Sequence, residues 1–219
     1  MAKSISALAV DSVDAHNSRM FPLQSWDGWL DSARHCPSPN CNARPSACLP
    51  EMLVVHNISL PPGCFGTGDI EALFCNTLDC SRNPAFVELE GLQVSAHFLI
   101  DREGLLTQFV SCLDRAWHAG VSSWAGRVNC NDFSIGIELE GTDSKSYEVA
   151  QYQALSRLVL ELRRRLPTLA PGPIVGHSDI APGRKTDPGE AFDWAGFRQL
   201  LRDSTDPSPR SLIQESIAR

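Results

Sequence analysis

The sequence predicts an α/β protein in which a sheet and helices share one domain. Two short apolar runs, 52–55 and 173–176, have the composition of strands buried on both faces. Residues 133–140 alternate apolar and polar side chains as a strand does, and residues 147–166 place leucines at the three- and four-residue spacing of a helix. Strands and helices mixed along one chain in this way are typical of the α/β class.

Length and composition bound the number of domains and the kinds of partner. With 219 residues and 42% apolar side chains, the chain can form one domain with a sizeable core. We expect that domain at 26–202, with a mobile extension at 1–25 and a mobile tail at 203–219. The net charge of -7 argues against nucleic acid or an anionic membrane as partner, and no apolar run approaches the ~20 residues of a membrane span. We expect a monomer.

The N-terminal segment and the cysteines both bear on the cellular compartment. The apolar patch at residues 5–10 is shorter than the roughly 7 to 15 residues of a secretory core and runs into Asp11, so we expect no export signal and a cytoplasmic protein. We therefore expect the eight cysteines to be reduced and mostly buried rather than a disulfide framework. A structural zinc site formed by Cys36, Cys41 and Cys48 is an alternative, although their spacing is not CxxC.

The remaining elements follow from turn residues and periodicity. We predict a loop at 36–50, a short helix at 69–74, a loop at 76–91, a hairpin of 94–100 with 105–110, a loop at 112–132 and a final helix at 194–201. For the long helix, Ser146 is the predicted cap and Pro167 ends it.

The strand at 133–140 has two different faces. Phe133, Ile135, Ile137 and Leu139 should pack on the core because strand side chains alternate in direction. The other face then carries Ser134, Gly136, Glu138 and Glu140. Its small residues leave room for a neighbour beside Glu138, whereas a solvated sheet face is the ordinary alternative.

The loop at 176–189 brings together an imidazole, an ammonium and a carboxylate, from His177, Lys185 and Asp187. We expect it to be irregular throughout, because Pro182 and Pro188 disfavour a helix. A metal ion bound by His177 and Asp187 would hold such a loop, although a solvated surface turn is the plain alternative.

His56 extends this pattern, because it also follows a buried apolar strand. Two imidazoles and one carboxylate with an open fourth position form the ligand set of a catalytic zinc site. His97 is expected to be a packed or cleft-lining histidine, with a ligand role as the alternative. Trp117 and His118 lie between small residues and suit a groove for a sugar or peptide, with a hydrophobic plug as the alternative.

Five motifs along the chain carry a resemblance to a known family. They are VVHNISLPPG (54–63), VSAH (94–97), RAWHAG (115–120), NDFSIGIELEGTD (131–143) and GHSDIAPGRKTDPG (176–189). In this order they resemble the AmpD-type 1,6-anhydro-N-acetylmuramyl-L-alanine amidases of bacteria over about residues 29–201. More distantly, the chain is similar to phage lysozyme-type amidases and peptidoglycan recognition proteins.

The resemblance implies a fold and a site. The fold would be a mixed central sheet flanked by helices, with one zinc ion in a cleft at the sheet edge. By motif, the zinc ligands would be His56, His177 and Asp187, with Glu138 as the catalytic carboxylate and Lys185 as the charged donor. The resemblance also suggests substrate contacts, which would be Asn57, His97, Trp117, His118 and Arg184.

The function implied by the resemblance is zinc-dependent hydrolysis of the amide bond between N-acetylmuramic acid and L-alanine in small anhydromuropeptides, during peptidoglycan recycling. Two alternatives remain at this point. One is a muropeptide-binding module without turnover. The other is a metal-free cysteine amidase that uses Cys112 or Cys130 with His97 or His118.

Overall fold

The structure, a computed structural model, describes residues 26–46 and 48–205. The extension predicted at 1–25 lies outside the described residues, and so do residues 206–219 of the predicted tail. The helices are α1 (Asp69–Phe74), α2 (Val149–Arg165), α3 (His177–Ile180) and α4 (Trp194–Thr205). The strands are β1 (Arg34–His35), β2 (Cys41–Ala43), β3 (Met52–Ile58), β4 (Phe98–Ile100), β5 (Leu106–Gln108), β6 (Asp114–Ala116), β7 (Ser123–Trp124), β8 (Arg127–Val128), β9 (Ser134–Glu140) and β10 (Ile174–Gly176).

Six strands form the central sheet, in the order β1-β5-β4-β9-β3-β10. β4 and β5 run antiparallel as the predicted hairpin, while every other neighbouring pair is parallel. The prediction of a mixed central sheet flanked by helices is therefore confirmed. β3 and β9, the two longest strands, lie next to each other in the sheet and pair along their full length.

Helix α2 covers one face of the sheet. Its leucines, including Leu155 and Leu158, pack with Ile135 and Ile137 of β9 in the largest core cluster. The helix starts later than predicted, and Ser146 does not cap it. Glu148 precedes the first helical residue, and its amide donates to the side chain of Gln151 at 3.0 Å, as in a capping box.

The opposite face of the sheet packs against loops and α1. Phe133 is buried in the core as predicted, but the prediction that it shares a face with Ile135, Ile137 and Leu139 is wrong, because β9 begins one residue later at Ser134. Phe133 instead packs with Met52 and Val54 on the other side. The strand predicted at 94–100 is also shorter, and Ala96 joins the cluster around Phe74 rather than the α2 core.

Three predicted loops contain regular structure. Two three-residue strands, β2 within 36–50 and β6 within 112–132, pair antiparallel. Residues 112–132 also hold the hairpin of β7 and β8, and the segment 76–91 contains the 3-10 turns Cys80–Arg82 and Pro84–Leu89. These elements are too short to produce a periodic pattern. At the C-terminal end, α4 extends to Thr205, beyond the predicted domain end at 202.

All eight cysteines lie in the described residues and are unpaired. Only Cys112 and Cys130 are fully buried, so burial is less general than predicted. The sulfur atoms of Cys36 and Cys75 lie 3.6 Å apart. Among the described helices, none is both long and apolar enough to cross a membrane.

Arg44 ties the loop after β2 to the start of β9. Its guanidinium donates to the carbonyl oxygens of Asn131, Asp132 and Ser134, each at 3.0 Å. Burial lowers its pKa to about 10, so it remains charged at neutral pH. A charged donor that serves several backbone carbonyls holds together segments that no regular hydrogen-bond ladder connects.

Replacing Arg44 with methionine should lower the free energy of unfolding by about 3 kcal/mol, because the carbonyls would lose their donors in a largely covered site. Urea unfolding measures this. The matched control is Arg34→Ala, which removes an exposed ion pair with Glu71 and should cost about 1 kcal/mol or less. Equal losses for the two variants would contradict a structural role for Arg44.

Candidate metal and catalytic site

The parallel pairing of β3 with β9 places His56 directly opposite Glu138. On the other side of β3, β10 pairs in parallel, with Gly176 opposite Val55. His177 follows Gly176 at once. Because the carboxyl ends of parallel strands meet at one edge of a sheet, three adjacent strands deliver His56, Glu138 and His177 to the same edge.

The segment after β10 brings Asp187 back to the same place. Contrary to the prediction of an irregular loop throughout, residues 177–180 form the single turn α3, which precedes Pro182. Further along, the Ser178 amide donates to the Asp187 carbonyl at 3.0 Å. Tyr147 donates to the Pro188 carbonyl at 2.7 Å and so fixes the end of the loop.

The side chains of His56, His177 and Asp187 converge on one point. His56 Nδ1 lies 3.0 Å from both His177 Nδ1 and Asp187 Oδ2, and His177 Nδ1 lies 3.1 Å from Asp187 Oδ2. The two imidazoles are buried, with 1% and 3% of their surface exposed. In the described part of the chain, this is the one group of three or more histidine, cysteine or acidic side chains that could hold a metal ion. Cys36, Cys41 and Cys48 therefore form no such group.

The hydrogen bonds on the far sides of the rings show that the site fits a cation. His177 Nε2 lies 3.1 Å from the Ala119 carbonyl, which can only accept, so Nε2 carries the proton and Nδ1 faces the cluster as a lone pair. Burial lowers the pKa of His56 to about 4, which keeps that ring neutral. A buried group of nitrogen and carboxylate acceptors is costly without a positive charge between them, and ligands about 2.1 Å from a tetrahedral zinc ion lie about 3.4 Å apart.

Glu138 is buried beside this group with one oxygen unsatisfied. Its side chain is 9% exposed, and Oε2 is the one carboxylate oxygen in the described residues that is buried without a hydrogen-bond partner. Burial raises the pKa of Glu138 well above the ordinary value, and the charge of Asp187 adds to this effect while Lys185 opposes it. A raised pKa makes this carboxylate a stronger base than an ordinary glutamate, which suits a general acid or base.

The two basic residues of the loop occupy different positions. Lys185 is exposed, and its positive charge opposes the rise in the pKa of Glu138. Arg184 Nη2 donates to the carbonyls of Ala119 and Val121, both at 2.7 Å. Arg184 therefore holds the 119–121 segment against the loop at 176–189. These contacts use part of the hydrogen-bonding capacity of its guanidinium.

Asn57 and Trp117, predicted as substrate contacts, also have protein partners. Asn57 donates to Asp143 at 2.8 Å, and the indole nitrogen of Trp117 donates to Asn42 at 2.7 Å. The Trp117 ring remains partly exposed. Trp117 therefore remains accessible to a solute despite this hydrogen bond.

His97 lies deeper than predicted for a substrate contact, whereas His118 is half-buried. His97 is fully buried, accepts from the Gly136 amide at 3.0 Å and contacts the Asp114 carbonyl at 3.2 Å. It is a packed histidine and belongs to no ligand group. His118 lies behind His56, with 2.9 Å between His118 Nδ1 and His56 Nε2. Burial lowers the pKa of both rings well below the ordinary value, so both are neutral.

The cysteines suited to a metal-free amidase lack the needed activation. Cys112 and Cys130 are fully buried, and burial raises the pKa of both thiols. A nucleophilic cysteine requires the opposite shift, since the thiolate is the reactive form. The geometry therefore disfavours the cysteine alternative.

Sequence reasoning missed two residues that shape the site. Tyr147, predicted only as the start of a helix, holds the loop at 176–189 through the Pro188 carbonyl. Its ring also packs against Gly141, so closely that a Cβ on this glycine would lie 2.6 Å from the ring. Asp143 accepts from Asn57, and its carbonyl accepts from the Ala191 amide. No local sequence pattern identifies either role, although both residues lie in or just after the fourth motif.

Comparison with known proteins agrees with this geometry. The family model described as N-acetylmuramoyl-L-alanine amidase matches residues 46–190. The 1,6-anhydro-N-acetylmuramyl-L-alanine amidase AmpD of Escherichia coli is 55% identical over 178 residues, which cover 81% of this chain and 97% of AmpD.

Solved structures give the same result. A crystal structure of a selenomethionine AmpD derivative matches with a TM-score of 0.78 and 55% identity, over 80% of this chain and 97% of that one. The amidase AmiD of Escherichia coli, in complex with the substrate anhydro-N-acetylmuramic acid-L-Ala-D-γ-Glu-L-Lys, matches with a TM-score of 0.51 and 30% identity, over 73% of this chain and 61% of that one.

Proposed function

The chain belongs to the N-acetylmuramoyl-L-alanine amidase family, as an AmpD-type member, and on this basis we propose that it hydrolyses the amide bond between 1,6-anhydro-N-acetylmuramic acid and L-alanine. The substrate comes from the relatives: AmpD is named for this linkage, and AmiD is solved with an anhydromuramyl peptide. The observation that carries the proposal is the convergence of His56, His177 and Asp187 beside the unsatisfied carboxyl of Glu138.

We propose one zinc ion as the cofactor, held by His56, His177 and Asp187. Two imidazoles and one carboxylate favour zinc over magnesium or calcium, which prefer oxygen ligands throughout. When bound, zinc lowers the pKa of a coordinated water to about 7 and polarises a carbonyl group. Asp187 is the most exposed of the three proposed ligands, with 13% of its side-chain surface accessible.

In the proposed mechanism, Glu138 takes the proton of the attacking water and returns it to the amine of L-alanine. Its buried position and raised pKa suit both transfers. Lys185, exposed at the same cleft, stabilises the negative charge that develops on the amide oxygen. Glu138 thus transfers the proton, and Lys185 stabilises the developing charge.

The substrate would lie across the open side of the cleft. Trp117 offers a partly exposed aromatic face, and Asn57 lies on the strand that carries His56. Arg184, which holds the 119–121 segment, positions the wall of the cleft beside the metal loop. We propose that these residues bind the sugar and the first residues of the stem peptide.

We also propose that the protein acts in the cytoplasm, as a monomer, on soluble anhydromuropeptides during peptidoglycan recycling. Eight unpaired cysteines suit a reducing compartment, because thiols in oxidising compartments tend to form disulfides.

One assay tests the proposed function against both alternatives. Purified protein should release L-alanyl peptide from anhydro-N-acetylmuramyl tripeptide, lose this activity with a zinc chelator, and keep it after thiol alkylation. Activity that survives metal removal but not alkylation would favour a cysteine amidase. Binding of the muropeptide without any cleavage by zinc-loaded protein would favour a binding module.

A further inference from the structure

On the strand face that carries Glu138, the imidazole of His118 lies behind the cluster formed by His56, His177 and Asp187. His118 lies against Gly136, so closely that a Cβ on this glycine would be 2.4 Å from the ring atom Cγ. The small residue expected to leave room on this face therefore accommodates His118. The ring is held between β9 and His56, and its edge faces His56 with the two ring centroids 5.0 Å apart.

The protons in this region can be assigned from one backbone carbonyl. Ser134 Oγ lies 2.6 Å from the Cys130 carbonyl oxygen, which can only accept, so the single hydroxyl proton is donated there. The same Oγ lies 3.2 Å from His118 Nε2. Having no second proton to give, the hydroxyl must accept at this contact, and His118 Nε2 carries a hydrogen.

The position of the ring proton on His56 follows from that on His118. A neutral His118 ring with its proton on Nε2 has a lone pair on Nδ1. His118 Nδ1 lies 2.9 Å from His56 Nε2, which must therefore be the donor. His56, also neutral, is left with an unprotonated Nδ1, and this is the atom that faces His177 and Asp187.

We propose that His118 is a positioning residue for the metal centre: through the chain Cys130–Ser134–His118 it fixes the orientation and tautomer of His56 so that Nδ1 is free to bind the ion. This inference rests on the proposed zinc site and deepens it. His177 is oriented in the same way by a backbone carbonyl, that of Ala119, whereas His56 is oriented by a side chain. The orientation of His56 can therefore be changed by a substitution.

The expected size of the effect follows from other metal proteins. Loss of the partner that orients a metal-binding histidine typically lowers metal affinity about 10- to 100-fold. The zinc dissociation constant, measured by competition with a chromophoric chelator, reports this directly and does not depend on turnover.

Two variants of nearly equal shape separate orientation from packing. In His118→Asn, the side-chain oxygen occupies the position of Nδ1 and can still accept from His56. In His118→Leu, the new side chain has nearly the shape of asparagine but has no acceptor. We expect the leucine variant to bind zinc about 10- to 100-fold more weakly and the asparagine variant to stay close to the unsubstituted chain. Ser134→Ala, which leaves His118 in place but removes the acceptor for its Nε2, should give an intermediate loss.

Each outcome has a defined meaning. Equal zinc affinity in the asparagine and leucine variants, whether both weak or both unchanged, would overturn the positioning role, because only their polar groups differ. Thermal unfolding of the metal-free variants, expected to be alike for the pair, shows whether either one fails to fold. If the unsubstituted chain itself bound no stoichiometric zinc, the proposed metal centre would be wrong, which is a separate result from failure of the His118 inference.

Discussion

Replacing Glu138 with alanine is expected to reduce turnover about 100- to 10,000-fold while zinc remains bound, because the carboxyl moves a proton and is not a ligand. The structure supports this separation of roles. Glu138 lies opposite His56 in the sheet, outside the group formed by His56, His177 and Asp187, and one of its buried oxygens has no protein partner. Steady-state kinetics and zinc content, measured on the same sample, test the prediction.

The matched control is Glu140→Ala, two residues along the same strand. Glu140 is equally buried, but its carboxylate accepts from the amides of Gly66 at 2.6 Å and Arg102 at 3.4 Å, so it anchors neighbouring loops. Its loss should lower stability more than turnover per folded molecule. If Glu140→Ala lost as much turnover as Glu138→Ala with the fold and zinc content intact, Glu138 would not be the catalytic carboxyl.

Replacing His177 with alanine is expected to abolish stoichiometric zinc and activity together, since it removes one of three proposed protein ligands. A second measurement does not involve catalysis. Zinc bound at the proposed site should raise the unfolding temperature of the unsubstituted protein, whereas it should have little effect on the variant. Zinc analysis and thermal unfolding with and without added zinc measure both effects.

His35 provides the control for the loss of a histidine. It is exposed, belongs to the edge strand β1 at the opposite side of the sheet from β10, and its side chain contacts the Leu30 carbonyl and the Trp29 ring. His35→Ala should keep one zinc per chain and full activity. A fully active, zinc-free His177→Ala protein would refute the metal requirement.

The parts of the site that follow directly from strands could be predicted from the sequence. His56 and His177 each come at or after a short apolar strand, and Glu138 belongs to a strictly alternating one, so their place at a sheet edge follows from the strand pattern. Local periodicity was also sufficient for α2. Its first residue was misplaced because Ser146 is a common capping residue, although Glu148 and Gln151 form the pattern of a capping box.

The contacts between distant segments could not be predicted. Arg44 binds carbonyls that lie about 90 positions away in sequence, and nothing around Arg44 distinguishes it from a solvated arginine in a loop rich in proline and asparagine. The role of His118 depends on Gly136, Ser134 and His56 meeting in space. The motif that contains His118 indicated an important residue. The motif alone fits a substrate contact and a contact with a proposed metal ligand equally well.

The pairing of β3 with β9 has a mechanical consequence for the site. His56 and Glu138 lie directly opposite each other on adjacent, hydrogen-bonded strands, so their separation is set by the sheet and changes little when surface segments move. Asp187 and Lys185 belong instead to the segment after α3, which is more exposed. Substitutions in that segment can therefore change the proposed third ligand and the charge of Lys185 without changing the strand pairing that sets the distance between His56 and Glu138.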